Sequence, residues 1–436
     1  MRNVVFWRGS EGFTLVEMIV VVFLLALAML GILAVFDASA RINKSETDVA
    51  DAQGNVRFGL DQMTRVIRMA GAGGLHTRQA ILNKGAGLAG INPTTVDYDN
   101  VAGGTTIQDL SSNNHVVRPG TDMIEVRGVI LSPLYGLLGN SCGGCQGAGD
   151  VLQVEQTTGN ALLGVHYNDD ATNRPQFAQT ISYTVTADAT NPMLVLVAST
   201  QDQSAGCSAP PATPLYPLPI YNVALMTKNA SLSAGKLKLE NLNFASAIAT
   251  RFNGPDPTAA QAATNLTSLS RGGVLDDIVY FIDNGVAGAN ADHPTLAQAT
   301  RRGDKFDVVG IANDVEDMQI AYGIDTNGNG VDPVVSETAG GDEWSPNVAG
   351  EAAPVSTAFV AAGTTCPNLH GVMISLLSKS RDPDPTYKAP AAAGYRLMNV
   401  PPAAPAIPLT MAQPGNYRRR VQTVRITLRN YSYEEP

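Results

Sequence analysis

One carboxylate, Glu17, stands directly before an unbroken run of 19 apolar or glycine residues, Met18 to Phe36. A charge inside a spanning helix costs about 2.5–3.5 kcal/mol near the centre of a bilayer and less near an end. A carboxylate kept there is therefore a functional candidate, and its chemistry is to meet a cation in an apolar surround. A second candidate is Asp325-Thr326-Asn327-Gly328-Asn329-Gly330-Val331-Asp332. It fits the opening of a calcium loop, with oxygen ligands at alternate positions and a glycine at the sharp turn. Asp325, Asn327, Asn329, the Val331 carbonyl and Asp332 would ligate. The twelfth position is Ser336, with Glu337 beside it, and Pro333 interrupts. A plain Asn/Gly hairpin turn explains the same residues.

The four cysteines offer a third chemistry. Cys142-Gly143-Gly144-Cys145 can be half a zinc site, a redox pair or a tight disulfide. Cys207, Cys366 and His370 are distant in sequence, and no βαβ unit surrounds the motif. Outside the cytoplasm disulfides are the default, so Cys142–Cys145 and Cys207–Cys366 are the expected pairs. Two further matches lack their context. Gly85 to Gly90 spells a dinucleotide fingerprint, but Asn92-Pro93 denies it a helix. Gly139 to Gly143 spells a hydrolase elbow, but glycine follows where a helix should start. His76, His115, His166, His293 and His370 form no metalloprotease pair. Arg418-Arg419-Arg420 reads as a solvated strand start before Ile-Thr-Leu, although it could touch DNA or lipid. No catalytic set emerges, and the expected class is not an enzyme.

The elements that position these residues follow from periodicity. Nineteen apolar residues can span a bilayer as a helix. Arg2 and Arg8 precede the run and keep the N-terminus cytoplasmic. A secretory signal is the alternative, with Ala38-Ser39-Ala40 as its cleavage site. The run exceeds the usual 7–15 residues of a signal core, however. Beyond it Ile42, Val49, Val56, Met63 and Ala70 recur every seven residues, with Leu60 and Ile67 as a second row. This predicts one helix over 13–70, roughly 87 Å long, with an apolar stripe for a globular head. Gly71-Ala72-Gly73-Gly74 stops it. Gly54 and Gly59 read as weak points costing about 1 kcal/mol each relative to Ala. A free coiled-coil stalk is the rival reading.

Residues 71–436 read as strands joined by turns, with a boundary near residue 270. Strands are predicted at Met123–Ile130, Val151–Gln156, Gln179–Thr186, Met193–Val197, Ile278–Ile282, Met318–Tyr322, Val372–Leu377 and Val421–Leu428. A turn at Asn313–Asp317 precedes the sixth. Residues 203–219 and 383–409 are rich in Pro or Ala and read as loops. The fold class is α+β, with a long helix packed on a large β-rich head.

Composition bounds the function. The 436 residues hold 42 Gly and 26 Pro, short of the roughly 25–30 % of a low-complexity chain. Charged residues make up 16 %, against about 25 % for typical soluble domains. A net charge of −10 disfavours direct nucleic-acid binding, which needs a basic stripe. Four cysteines exclude a dense disulfide scaffold.

Gly12-Phe13-Thr14-Leu15-Val16-Glu17 with its apolar run resembles the type IV prepilin cleavage and methylation motif. The resemblance implies a leader over 1–12, a prepilin peptidase that cuts after Gly12, and N-methylation of Phe13. It implies that Glu17, fifth in the mature chain, pairs with the N-terminal amine of a neighbouring subunit. The mid-helix proline of many pilins is missing here. Val308 to Asp325 and Tyr417 to Asn430 resemble the C-terminal region of PilW-like minor pilins. These likenesses imply a pilin-like fold, with residues 271–436 as the PilW-like part and the membrane span near 18–36. They imply a minor subunit in a tip complex that primes a type IV pilus and supports twitching, adhesion or DNA uptake. Its partners would be other minor pilins, the major pilin, the peptidase, an inner-membrane assembly platform and the bilayer. The head would be periplasmic before assembly and on the surface pilus afterwards. No cofactor is required on this reading, and calcium is optional. A J-type pseudopilin of a type II secretion system is the runner-up, and an anchored surface adhesin the third reading.

Overall fold

A computed structural model describes residues 14–75, 80–82, 91–92, 97–131, 135–136, 148–153, 193–203, 219–226, 231–233, 236–244, 246, 249, 271–325, 343–345, 369–384, 387 and 416–428. Helix α1 spans Leu15–Arg68. The strands that follow are β1 (Ile81–Leu82), β2 (Ile91–Asn92), β3 (Thr106–Gln108), β4 (Asn114–Val117), β5 (Ile124–Gly128), β6 (Tyr135–Gly136), β7 (Ala148–Gln153), β8 (Met193–Gln203), β9 (Pro219–Met226) and β10 (Ser231–Ser233). After them come β11 (Lys236–Asn243), β12 (Arg271–Val274), β13 (Asp276–Val286), β14 (Thr295–Arg302), β15 (Lys305–Asn313), β16 (Val315–Ile324), β17 (Trp344–Ser345), β18 (Leu369–Lys379) and β19 (Arg419–Thr427). The predicted class, a long N-terminal helix followed by a β-rich head, is the observed one. The chain divides into two compact units, Met1–Asp51 and Ala52–Pro436.

The head holds three sheets among the described residues. In the first, β13 is central. Its one edge takes β5 at Asp276–Tyr280 and β4 at Asp283–Val286, and its other edge takes β14 and then β15. This sheet crosses residue 270, where the sequence suggests a boundary, because β5 pairs with β13. In the second sheet the path is β10-β11-β9-β8-β12-β6, with β7 on β11. The third runs β17-β16-β18-β19, all antiparallel.

The C-terminal part of α1 is the common element. Ala52, Val56, Gly59, Leu60, Met63, Val66 and Ile67 are buried, the three-and-four spacing of one helical face. The main core joins Val56, Met63 and Ile67 to Ile124, Leu196, Ile278, Met318, Ile374 and Ile426, so the helix shares one core with all three sheets. The heptad row is borne out at Val56, Met63 and Ala70. Ile42, by contrast, is 58 % exposed. The other face of the first sheet has its own core of Tyr98, Ile107, Val117, Val279, Phe281 and Phe306. Strand β13 is therefore buried on both faces, and its side chains alternate between two cores.

Gly59 corrects the sequence reading. A Cβ there would lie 2.7 Å from Leu296 Cδ2, so the missing side chain is what lets α1 approach β14. At Gly54 nothing lies within 4 Å. The helix stops as expected at its glycines. Gly71 takes φ 76°, open to glycine at little cost, and its N–H donates to Arg127 O at 2.9 Å. The helix end is thus tied to β5.

Strands β14 and β15 are absent from the sequence reading. They form a hairpin closed by Gly303-Asp304 between the paired Arg302 and Lys305, with Gly303 at φ 65°. A Gly-Asp pair is a two-residue hairpin signal. It is masked here by the polar composition of Thr295–Arg302. Predicted strand Gln179–Thr186 lies outside the described residues.

Candidate assembly site

The N-terminal unit is built around its first turn. Thr14 N–H and Thr14 Oγ1 both donate to Glu17 Oε2, at 2.9 and 3.0 Å. The Glu17 N–H donates back to Thr14 Oγ1 at 3.3 Å. This reciprocal pair is a capping box, which satisfies helix donors that have no partner within the helix. The T-x-x-E spacing before an apolar run announces it in the sequence. Its consequence is chemical. Glu17 Oε2 carries both bonds, and Oε1 has no hydrogen-bond partner among the described residues. The carboxylate is held at a fixed place and keeps one acceptor for a cation.

Behind it the helix is apolar on every side. An 18-residue window reaches a mean hydropathy of 3.2, and none of it is buried. Large side chains from Leu15 to Phe36 are 49–77 % exposed. Surface of this extent does not persist in water. A helix apolar all round belongs in lipid or among similar helices. From Asp37 the surface turns polar, with Arg41 paired to Asp37 at 2.8 Å. Gly12 and Phe13 lie outside the described residues.

The other candidates separate in the head. Asp325 sits just after β16 and is nearly buried, with His370 Nε2 4.0 Å from its carboxylate. Asn327, Asn329, Val331 and Asp332 lie outside the described residues, as do Cys142, Cys145, Cys207 and Cys366. Among the described residues no group of three or more His, Cys, Asp or Glu is placed to hold a metal. The arginine triplet is largely engaged within the chain. Arg418 clasps Asp384 Oδ2 through Nε and Nη2 at 3.0 and 2.9 Å. Arg419 is buried and donates to both Glu316 oxygens, at 2.5 and 3.2 Å. Arg420 stays exposed. The triplet therefore does not form one open basic patch.

The head buries more charge than its sequence suggests. On the second core's side of the first sheet, Arg127 pairs with Glu125 and Asp277, and Arg301 donates to Asp277 Oδ2 at 2.5 Å. Tyr98 OH donates to Glu125 at 2.7 Å. Burial pushes the Glu125 carboxyl up to about 7 against the opposing pull of Arg127. Burial also raises Asp277, but Arg127 and Arg301 outweigh it and hold that group below its usual range. Between sheets, Asp122 closes part of the β16 edge as a strand would. Its N–H donates to Met318 O at 2.8 Å, and its Oδ2 accepts the Ile320 N–H at 2.7 Å. Oδ1 accepts the Asn100 N–H at 2.9 Å. Nearby, burial pushes Asp317 up to about 7. These networks are held internally and position the sheets. Among the described residues the N-terminal helix is where an apolar surface and a carboxylate face outward.

Comparison with known proteins matches two separate stretches of the chain. Residues 279–430 match the family model described as type IV pilus-assembly protein W. Residues 7–33 match the model of the prokaryotic N-terminal methylation motif. A type IV-like pilin from Thermus thermophilus is similar over 58 % of this chain and 92 % of its own, at 13 % identity and a TM-score of 0.18. That score is too low to carry an argument about shape. No curated protein matches the chain.

Proposed function

We propose that this chain, a PilW-like type IV pilin that carries an N-terminal methylation motif, is a minor pilin of a tip complex that primes the filament. The observation that carries this reading is the N-terminal helix. It offers an all-round apolar surface and a capped carboxylate with one free acceptor. The subunit waits in the inner membrane by this helix, its head outside the cytoplasm. Prepilin peptidase cuts after Gly12, and Phe13 becomes the methylated N-terminus. Glu17 then meets the amine of a neighbouring subunit, because an apolar filament core tolerates opposite charges only as a pair. The oversized head suits a tip, where neighbours are missing on one side. In a repeating shaft it would crowd.

Mass spectrometry of the N-terminal peptide, from sheared filaments and from membranes, tests the proposal. A chain that begins at N-methylated Phe13 and is present in filaments is expected. A chain that begins at Arg41, or one still at Met1 and missing from filaments, ends the proposal. Recovery with a secretion apparatus instead of a pilus would move the assignment to the pseudopilin reading.

A further inference from the structure

Strand β16 pairs with β18 along one edge, whereas β17 covers its other edge only at Tyr322 and Gly323. Nearer the start of β16, that second edge is closed by the connection between β4 and β5 of the first sheet. Asp122 N–H donates to Met318 O at 2.8 Å, and Asp122 Oδ2 accepts the Ile320 N–H at 2.7 Å. Beside them Gln319 Nε2 donates to Gly120 O at 3.2 Å and to Asp317 Oδ1 at 3.0 Å. This seam ties the first sheet to the third, and Asp122 and Asp317 are both buried in it.

The two carboxyl groups differ from the other buried acids of the head in their partners. Glu316 is clasped by Arg419, with Lys379 Nζ 3.6 Å away. Asp277 lies between Arg127 and Arg301. Asp122 and Asp317 make no ion pair among the described residues, and amide N–H groups are their hydrogen-bond partners. Asp99, Asp317 and the Tyr322 phenol face Asp122, so its charged neighbours are acidic. Arg118 attracts a charge on Asp317 and Glu316 repels it. Gln319 Oε1 is buried with no hydrogen-bond partner among the described residues, so the seam already lacks donors. Ionising a carboxyl here places a buried charge without a counterion. Burial accordingly pushes Asp317 up to about 7 and Asp122 well above the usual carboxylate range.

We propose that this seam is a pH-sensitive joint inside the head: it stays closed while Asp122 and Asp317 carry their protons, and it opens more often as they ionise, freeing the Met318–Ile320 edge of β16. The sign follows from linkage. An opened seam lets both groups ionise as in water, whereas the closed seam holds their protons. Each pH unit between the free and the buried titration range therefore raises the open population about tenfold per carboxyl. The joint depends on the head alone and stands apart from the assembly reading of the helix.

Hydrogen–deuterium exchange of the full-length protein in detergent, resolved to single amides and corrected for intrinsic rates, tests it between pH 5 and 6.5. At every pH the Asp122 and Ile320 amides should be less protected than Val279, which β5 and β14 pair on both edges. Their protection should fall by up to about a hundredfold per pH unit, the product of two tenfold terms. Asp317→Asn keeps an oxygen for Gln319 Nε2 and should cut that fall to about tenfold per unit. Protection at Asp122 and Ile320 that does not change with pH overturns the proposal. Protection equal to that of Val279 throughout also overturns it, because the seam would then open only with the whole head. An unaltered slope in Asp317→Asn does the same. If that variant fails to fold, the two wild-type comparisons decide.

Discussion

Alanine at Gly54 should stabilise the protein and alanine at Gly59 should not, although both replace a glycine inside the same helix. In a helix interior alanine gains about 1 kcal/mol over glycine. At Gly54 nothing opposes that gain, since the space around a new methyl is open. At Gly59 the methyl would lie 2.7 Å from Leu296 Cδ2 and 3.5 Å from Ala312 Cβ. Carbon atoms in contact prefer about 3.5–4.0 Å, so Leu296 must retreat by roughly 1 Å. Leu296 is fully buried in the main core, which has little room to give. Overpacking of this kind costs about 1–3 kcal/mol. Set against the helix gain, Gly59→Ala should be neutral to about 2 kcal/mol destabilising. Gly54→Ala should be stabilising by about 1 kcal/mol. Urea unfolding of the detergent-solubilised protein, followed by the signal of Trp344 in the head, measures both. Leu296→Val in the Gly59→Ala background should recover part of the loss, because the two sites share one contact and their effects should not add. If Gly59→Ala stabilises as much as Gly54→Ala, the close approach of α1 to β14 is not a packing constraint, and the account of that glycine is wrong.

Two further outcomes follow from the head. Asp317 keeps its proton to about pH 7 when folded, against 3.8 for a free carboxyl, because it is buried. Between those values the folded state binds more protons than the unfolded one. Stability from this group therefore falls as pH rises through the window, by on the order of 4 kcal/mol. Asp317→Asn should reduce the slope of the urea midpoint between pH 4.5 and 7; an unaltered slope would show that the group is solvated. At the calcium-loop candidate, added calcium should raise the melting temperature of the wild type, and Asp325→Ala should abolish the rise. Equal melts in both proteins, with and without calcium, end that candidate.

The one-dimensional features of this chain were legible without any structure. A 19-residue apolar run, a carboxylate before it, a glycine before that and a heptad row beyond are all local patterns. A helix obeys local rules, so its ends at Leu15 and Arg68 fall within two residues of the prediction. The apolar centres of β13 and β16, Ile278–Ile282 and Met318–Tyr322, are legible for the same reason, whereas the polar residues that extend these strands to Asp276–Val286 and Val315–Ile324 are not. Thr14 as the capping partner of Glu17 is written in the T-x-x-E spacing as well.

What the tertiary structure decided is whatever depends on distant residues meeting. Gly59 reads as a defect until Leu296, more than two hundred positions later, is brought against it. Arg419 reads as part of an exposed basic cluster until Glu316 reaches it across the third sheet. Polar Thr295–Arg302 shows no strand pattern until β13 and β15 pair with it on both edges and bury most of it. Asp122 has no strand pattern of its own, yet it completes the edge of β16. Backbone pairing and ion pairing across the chain carry no local signature, because each half of the contact is an ordinary residue until the fold supplies the other.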